Sequence, residues 1–163
     1  MTLAEAAAQA DALAEAGKER ELADLRRQWE DEVEAAARAP DYRQRAVAYR
    51  AVGQFRFRQK IELLGRGLED ESPACRGSAL ISLERLSRDA PGAVNSLRSA
   101  LHRLANADDN QAVRRLAIVC LRNGSAHRDT IALLDGLAGD DRLERELREA
   151  AAKVAAGLKR KGR

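Results

Sequence analysis

The sequence predicts an all-α chain: a right-handed α-solenoid of about four stacked helical pairs, closed at its N-terminus by one or two longer helices. Three observations predict it. Of 163 residues, 45% are hydrophobic but only 3% aromatic, and three are proline. The core must therefore come from Leu, Ala, Val and Ile carried on helices. Apolar residues recur at spacings of three and four along successive stretches. Finally, Arg45, Arg76, Arg114 and Arg148 stand 31, 38 and 34 residues apart, and three residues after each comes Ala48, Ala79, Ala117 or Ala151. Seven residues after each comes Val52, Leu83, Leu121 or Ala155. Such a repeat unit buries its face only against its neighbours.

In chain order, Thr2 and Glu5 form a capping box. Leu3, Ala6, Ala10 and Leu13 then recur on one face to about Ala16. That face is mostly alanine, so it buries little, and removal of residues 1–16 is expected to leave the array folded. Gly17 either breaks the helix or weakens a continuous one by ~1 kcal/mol. From Lys18 to Arg38 the face is stronger, with Leu22, Leu25, Trp29 and Val33. Trp29 either anchors this helix on the next repeat or serves a partner. Pro40 ends it, and Asp41 with Gln44 caps the next, which runs from Tyr42 to about Gly53.

Ile61, Leu64 and Leu68 then share a face. Asp70 and Ser72 form a turn, and Pro73 suits the first position of the following helix, where no N–H donor is needed. Ala79, Leu83 and Leu86 continue that helix. After Pro91 one helix is expected to carry Val94, Leu97, Leu101 and Leu104. Asp108, Asp109 and Asn110 supply a turn rich in capping groups. Val113, Ala117, Cys120 and Leu121 mark a helix ended by Asn123-Gly124. A short helix holds Ile131, Leu134 and Leu137. Asp141 with Glu144 resembles a capping box for the last helix, with Leu147, Ala151, Val154, Ala155 and Leu158. The expected organisation is residues 1–39 as an N-terminal helical cap or arm, 40–160 as the repeat array, and 161–163 as a basic tail.

The pattern resembles the HEAT-repeat family of armadillo type, over roughly residues 41–160. Members place an aspartate in the turn of each pair and an arginine early in the second helix, after an aliphatic residue. Here Asp70 precedes Arg76, Asp108 or Asp109 precedes Arg114, and Asp140 or Asp141 precedes Arg148. Val113-Arg114 and Leu147-Arg148 match the aliphatic-arginine pair, Cys75-Arg76 is milder, and Gln44-Arg45 departs from it. The resemblance implies HEAT-like helical pairs whose aspartates and arginines form a structural ladder between turns. Some HEAT-like families are enzymes, among them DNA glycosylases for alkylated bases and bilin lyases. This chain shows no aromatic-rich pocket and no acid placed for such work.

Little else suggests chemistry. His102 and His127 belong to no metal-ligand motif. Ser72, Ser78 and Ser82 lack a nucleophile motif. Gly65, Gly67 and Gly77 follow no strand and form no phosphate loop. No cofactor is expected. Cys75 and Cys120 fall in apolar helical patterns and read as buried free thiols. No signal peptide or membrane span is evident, so a cytoplasmic protein is expected. The net charge of +3 does not by itself imply nucleic acid. Its distribution is uneven: −5 over residues 1–39, and +5 over both 40–66 and 142–163.

Two features remain. The position five residues after each repeat arginine holds Arg50, Ile81, Val119 and Lys153. It lies about 200° from the offset-three position, away from the buried stripe, because each residue turns ~100°. On second helices that line a concave face, it offers a partner protein an apolar middle with cationic ends. Burial of Ile81 and Val119 between repeats is the competing reading. The other feature is a basic patch of Arg50, Arg56, Arg58 and Lys60, interleaved with Phe55 and Phe57. The function expected is a non-catalytic protein–protein interaction scaffold or adaptor, with self-association through the N-terminal helix as a further option. The alternative is a nucleic-acid backbone binder using residues 50–60 and the C-terminus.

Overall fold

The computed structural model describes residues 1–163, and every regular element is a helix. There are ten: α1 (Leu3–Glu15), α2 (Glu19–Ala36), α3 (Tyr42–Gln54), α4 (Ile61–Leu68), α5 (Pro73–Ser87), α6 (Pro91–Ser96), α7 (Arg98–Ala107), α8 (Gln111–Leu121), α9 (Arg128–Ala138) and α10 (Arg145–Lys161). They form two compact units, Met1–Leu86 and Ser87–Arg163. The four pairs are α2/α3, α4/α5, α7/α8 and α9/α10. The offsets of three and seven form the core stripe in every pair. Ala48, Ala79, Ala117, Ala151, Val52 and Leu83 are fully buried, and Leu121 and Ala155 are 1% exposed.

In the first unit, the Thr2–Glu5 capping box closes as expected. Gly17 breaks the chain between α1 and α2. It takes φ +71°, which costs glycine little, and Lys18 N–H returns to Leu13 O at 3.0 Å in a Schellman ending. The alanine face of α1 departs from expectation. Ala6, Ala7 and Ala10 are fully buried, and α1 packs on both α2 and α3. Small side chains let helix axes approach closely, so the contact is tight despite little apolar area per residue. On α2, Leu22 and Val33 are fully buried and Trp29 is 8% exposed. Trp29 is therefore an internal anchor, although its indole N–H has no hydrogen-bond partner.

The segment after α3 is held by many bonds. α3 ends in another Schellman motif, with Phe57 N–H to Val52 O at 3.0 Å and Arg56 N–H to Gly53 O at 3.1 Å. Here the left-handed position is held by Arg56, at φ 58°, rather than by glycine, a cost of ~1–2 kcal/mol. Its side chain offsets this. Nη1 donates to Gly53 O at 2.7 Å and Asp11 Oδ1 at 2.9 Å, and Nη2 donates to Glu15 Oε1 at 3.1 Å. Phe55 and Phe57 are buried and stacked, with ring centroids 5.2 Å apart. Further on, α5 meets α3 through Ser82, whose hydroxyl donates to Tyr49 O at 2.5 Å and accepts Gly53 N–H at 2.9 Å. A Cβ on Gly53 would fall 2.7 Å from that oxygen, so glycine is required there.

The turn chemistry repeats in both units. Asp41, Asp70, Asp108 and Asp140 each accept the backbone N–H two residues on, from Arg43, Ser72, Asn110 and Arg142, at 2.8–3.0 Å. These are Asx turns. The choice between neighbouring acids falls on Asp108 and Asp140, while Asp141 is fully exposed. Each repeat arginine donates to backbone carbonyls ahead of its helix: Arg45 to Ala39 and Pro40, Arg76 to Asp70 and Glu71, Arg114 to Ala105 and Asn106, and Arg148 to Leu143. Arg45 also forks onto Asp70 of the next turn, at 2.9 and 3.1 Å, which is a rung of the expected ladder. Burial pushes the Asp70 carboxyl up, but Arg45 and the Ser72 N–H outweigh it and hold it below its ordinary value. A depressed carboxylate stabilises the fold above its unfolded pKa of about 4, and that share is lost as pH falls through the folded value. Asp70→Asn is thus expected to lower the urea midpoint at pH 7, with the difference from wild type shrinking toward pH 3. Equal differences at both pH values would remove this rung from the stability account.

The second unit departs from expectation at two places. The helix expected after Pro91 is two, α6 and α7, interrupted at Leu97 with φ −111° and ψ 15°. Asn95 Oδ1 accepts the Ser125 N–H at 3.0 Å and Arg98 Nη2 at 2.6 Å, so its side chain ties the break to the α8–α9 connection. Gly124 serves the same junction, since a Cβ there would lie 2.6 Å from Val94 Cγ1. The capping box of Asp141 and Glu144 does not form. Glu144 occupies the N-cap of α10 without a side-chain bond, because the preceding turn is organised by Asp140 instead. Cys75 and Cys120 are buried free thiols, one in each unit.

Candidate partner-binding groove

Helices α8 and α10 run parallel. Lys161 Nζ, at the end of α10, donates to Arg122 O at 3.0 Å and Gly124 O at 2.9 Å, at the end of α8. Between the two helices lies an open groove of about 810 Å³. Its α8 wall is Arg115, Val119 and Arg122, spaced four and three. Its α10 wall is Glu146, Ala150, Lys153, Gly157 and Arg160, spaced four, three, four and three. Residues at those spacings stay on one stripe with a mean period of 3.5, the period at which another helix packs along the seam. The floor is small and apolar: Val119, Ala150 and Gly157 are half-buried, and Val154 is buried.

The rim is charged in order. Arg115 and Lys153 form one pair of bases, and Arg122 and Arg160 a second, seven residues further along both helices. Seven helical residues span about 10.5 Å. Glu146 and Glu149 stand at the other end, and Glu149 Oε1 is held by Arg145 Nε at 2.7 Å. Lys153, Arg115 and Arg160 are exposed and reach no acid, so their charge faces solvent. Gly157 sits mid-helix, where glycine costs ~1 kcal/mol against alanine. Nothing inside the unit demands it, since a Cβ there would meet only Arg160 Nη2 at 3.8 Å.

Two of the four offset-five residues, Val119 and Lys153, thus line one groove. The other two lie in the first unit, where Arg50 is exposed on α3 and Ile81 half-buried on α5. The Ser82 hydroxyl oxygen, next to Ile81, also lies 3.0 Å from Arg50 O, so α5 touches α3 there. Sequence reasoning missed Arg115, Arg122 and Arg160. Their signal is the four-three spacing across two helices, which shows only once α8 and α10 are known to be neighbours.

The basic patch of Arg50, Arg56, Arg58 and Lys60 is not assembled on the surface. Arg56 and Lys60 are 7% and 8% exposed. Arg56 is committed to Asp11 and Glu15, and Lys60 Nζ to Glu34 at 2.6 Å and Glu30 at 3.1 Å, with the Phe57 ring 5.3 Å away. Burial works against the Lys60 ammonium, but the two glutamates hold its pKa above the ordinary lysine value. Phe55 and Phe57 are fully buried and present no stacking face. The cause is the acidic α1–α2 segment, which folds over these cations. The C-terminal cations are partly used as well, with Lys161 on carbonyls and Lys159 Nζ 3.0 Å from Asp135.

The histidines have local partners. His102 Nε2 lies 2.8 Å from Thr130 Oγ1, and His127 Nδ1 accepts the Asp129 N–H at the start of α9. Burial, then the Arg98 charge, lowers the His102 pKa. Burial, followed by the Asp70 charge, raises that of the Cys75 thiol, which favours the unreactive form.

Residues 31–106 match the family model for HEAT repeats. Over that span the chain carries HEAT repeats. The match runs from the last third of α2 into α7 and takes in α3 and the pair α4/α5 whole. HEAT repeats are commonly protein-interaction scaffolds, and the fold is typically non-catalytic. The groove belongs to the two HEAT-like pairs that follow, which carry the same aspartate turns and arginine bonds. No curated protein matches the chain. No helix of the chain is long and apolar enough to cross a membrane.

Proposed function

We propose that this protein is a non-catalytic binding scaffold whose α8–α10 groove seats an amphipathic helix with acidic residues at seven-residue spacing. The observation that carries this reading is the pair of base rungs, Arg115/Lys153 and Arg122/Arg160, above a small apolar floor in coiled-coil register. The floor supplies desolvation and close approach, while the rungs set orientation and association rate. The proposal extends to Arg50 and Ile81 as a partner-facing pair on α3 and α5 within their own unit. Nucleic-acid backbone binding is the less favoured reading, because half of the patch it relied on is buried.

The test is a titration with a synthetic helical peptide of about three heptads, carrying glutamate at two positions seven residues apart. Wild type is expected to bind in the micromolar range, with affinity falling as salt rises. Lys153→Glu/Arg160→Glu is expected to weaken binding at least ~30-fold, about 2 kcal/mol, with far-UV circular dichroism unchanged. Gly157→Leu is expected to block the groove. Equal peptide binding by wild type and the charge-reversed variant would sink the reading, and tighter binding of arbitrary DNA than of the peptide would favour the alternative.

A further inference from the structure

We propose that the helix received by the α8–α10 groove is α2 of a second copy of this chain, laid antiparallel to α10. The inference rests on the reading of the groove as a helix seat and names its occupant. α2 buries Leu22, Trp29 and Val33 within its own unit. Its opposite face carries Asp24, Gln28, Asp31 and Ala35, spaced four, three and four, and Arg38 continues the series three residues later; all five are exposed. That stripe has the same four-three register as the groove walls.

Charge order selects both the partner and its direction. Along α10 at seven-residue intervals the groove reads Glu146, Lys153, Arg160: negative, positive, positive. Along α2 and the turn that follows it, the same intervals read Asp24, Asp31 and Arg38: negative, negative, positive, with Arg38 two residues past the helix end. Antiparallel docking sets Asp24 against Arg160, Asp31 against Lys153 and Arg38 against Glu146, three opposite-charge pairs. Parallel docking would set Asp24 against Glu146 and Arg38 against Arg160, two like-charge pairs. In the antiparallel arrangement each aspartate also faces a base of the α8 wall, Arg122 or Arg115. Gln28, the bulkiest uncharged residue of the stripe, falls over Gly157, and Ala35 falls over Ala150. The existing bonds on the stripe are exposed pairs, Arg27 with Asp24 and Arg38 with Glu34. Exposed pairs of this kind hold side chains weakly and exchange readily.

The stripe and the groove are different surfaces, so the contact is heterologous. Each docking leaves one free groove and one free α2, and copies add head to tail. The seat is short and its charges are solvated, which places association at tens to hundreds of micromolar protein.

Sedimentation and light scattering on the full chain test this. At about 200 µM and low salt, the average mass of wild type is expected to exceed the monomer and to return to it near 0.5 M salt, where the Debye length falls below ~5 Å. Asp24→Lys/Asp31→Lys is expected to be monomeric, as is Lys153→Glu/Arg160→Glu. Both change only exposed residues, and circular dichroism checks their fold. Mixed together, the two variants are expected to associate again, because the unchanged α2 of the groove variant fits the unchanged groove of the α2 variant. A wild type that stays monomeric, variants that associate like wild type, or a mixture that does not associate overturns the proposal. The acidic-peptide titration separates the two failures. Peptide binding by a monomeric wild type leaves the groove a helix seat for another protein, whereas loss of both removes the seat itself.

Discussion

Deletion of residues 1–16 is expected to destabilise the first unit by on the order of 3 kcal/mol, a large share of the stability of a unit this size. The loss has two sources. α1 buries Leu3, Ala6, Ala7 and Ala10 and covers the faces of α2 and α3 that meet them. It also brings Asp11 and Glu15 to Arg56, whose side chain is only 6% exposed. Those carboxylates are 43% and 66% exposed, so the electrostatic share is screened and the packing share dominates. Arg56 would keep its carbonyl bonds but hold a left-handed backbone with fewer compensating contacts. Trp29, the chain's one tryptophan, sits on α2, so its fluorescence reports this unit during a urea melt. An unchanged midpoint would return α1 to the status of a loose arm. Asp11→Ala/Glu15→Ala keeps the alanine face and is expected to cost less than half as much.

Leu83→Ala and Leu121→Ala are each expected to cost ~2–5 kcal/mol. Leu83 is fully buried and Leu121 is 1% exposed. They hold the same place in their repeats, seven residues after Arg76 and Arg114, on helices anchored at their starts by those arginines. A truncated leucine leaves a cavity that such a packed stripe closes only in part. Urea unfolding followed by far-UV circular dichroism measures both. A cost below ~1 kcal/mol at either site would mean that the repeat register places its core residue elsewhere.

Expected and observed structure part ways where burial depends on distant chain. Arg56 and Lys60 read as solvated charge because a local window contains no acid facing them. Their partners are 41 and 45 residues away for Arg56 and 26 and 30 for Lys60, supplied when α1 and α2 fold over the loop. The alanine face of α1 read as weak because hydrophobic area is small per alanine, whereas helix packing distance also matters. The break at Leu97 follows from Asn95 reaching the Ser125 amide, 30 residues on, and no local propensity marks it.

By itself the sequence determined the helical class, the four repeat arginines and the core stripe at offsets of three and seven. It also marked the aspartates that make the turns. These depend on period, propensity and bonds a few residues long, all written in the local order of side chains. Only the tertiary structure decided that α8 and α10 lie parallel, so that Val119 and Lys153 join Arg115, Arg122 and Arg160 around one groove. It alone decided, too, that half of the basic patch is an internal clamp. The physical reason is the same in both cases. Whether a charge is a clamp or a docking point depends on whether an opposite charge and low solvent access reach it, and that is a property of neighbours brought together by folding.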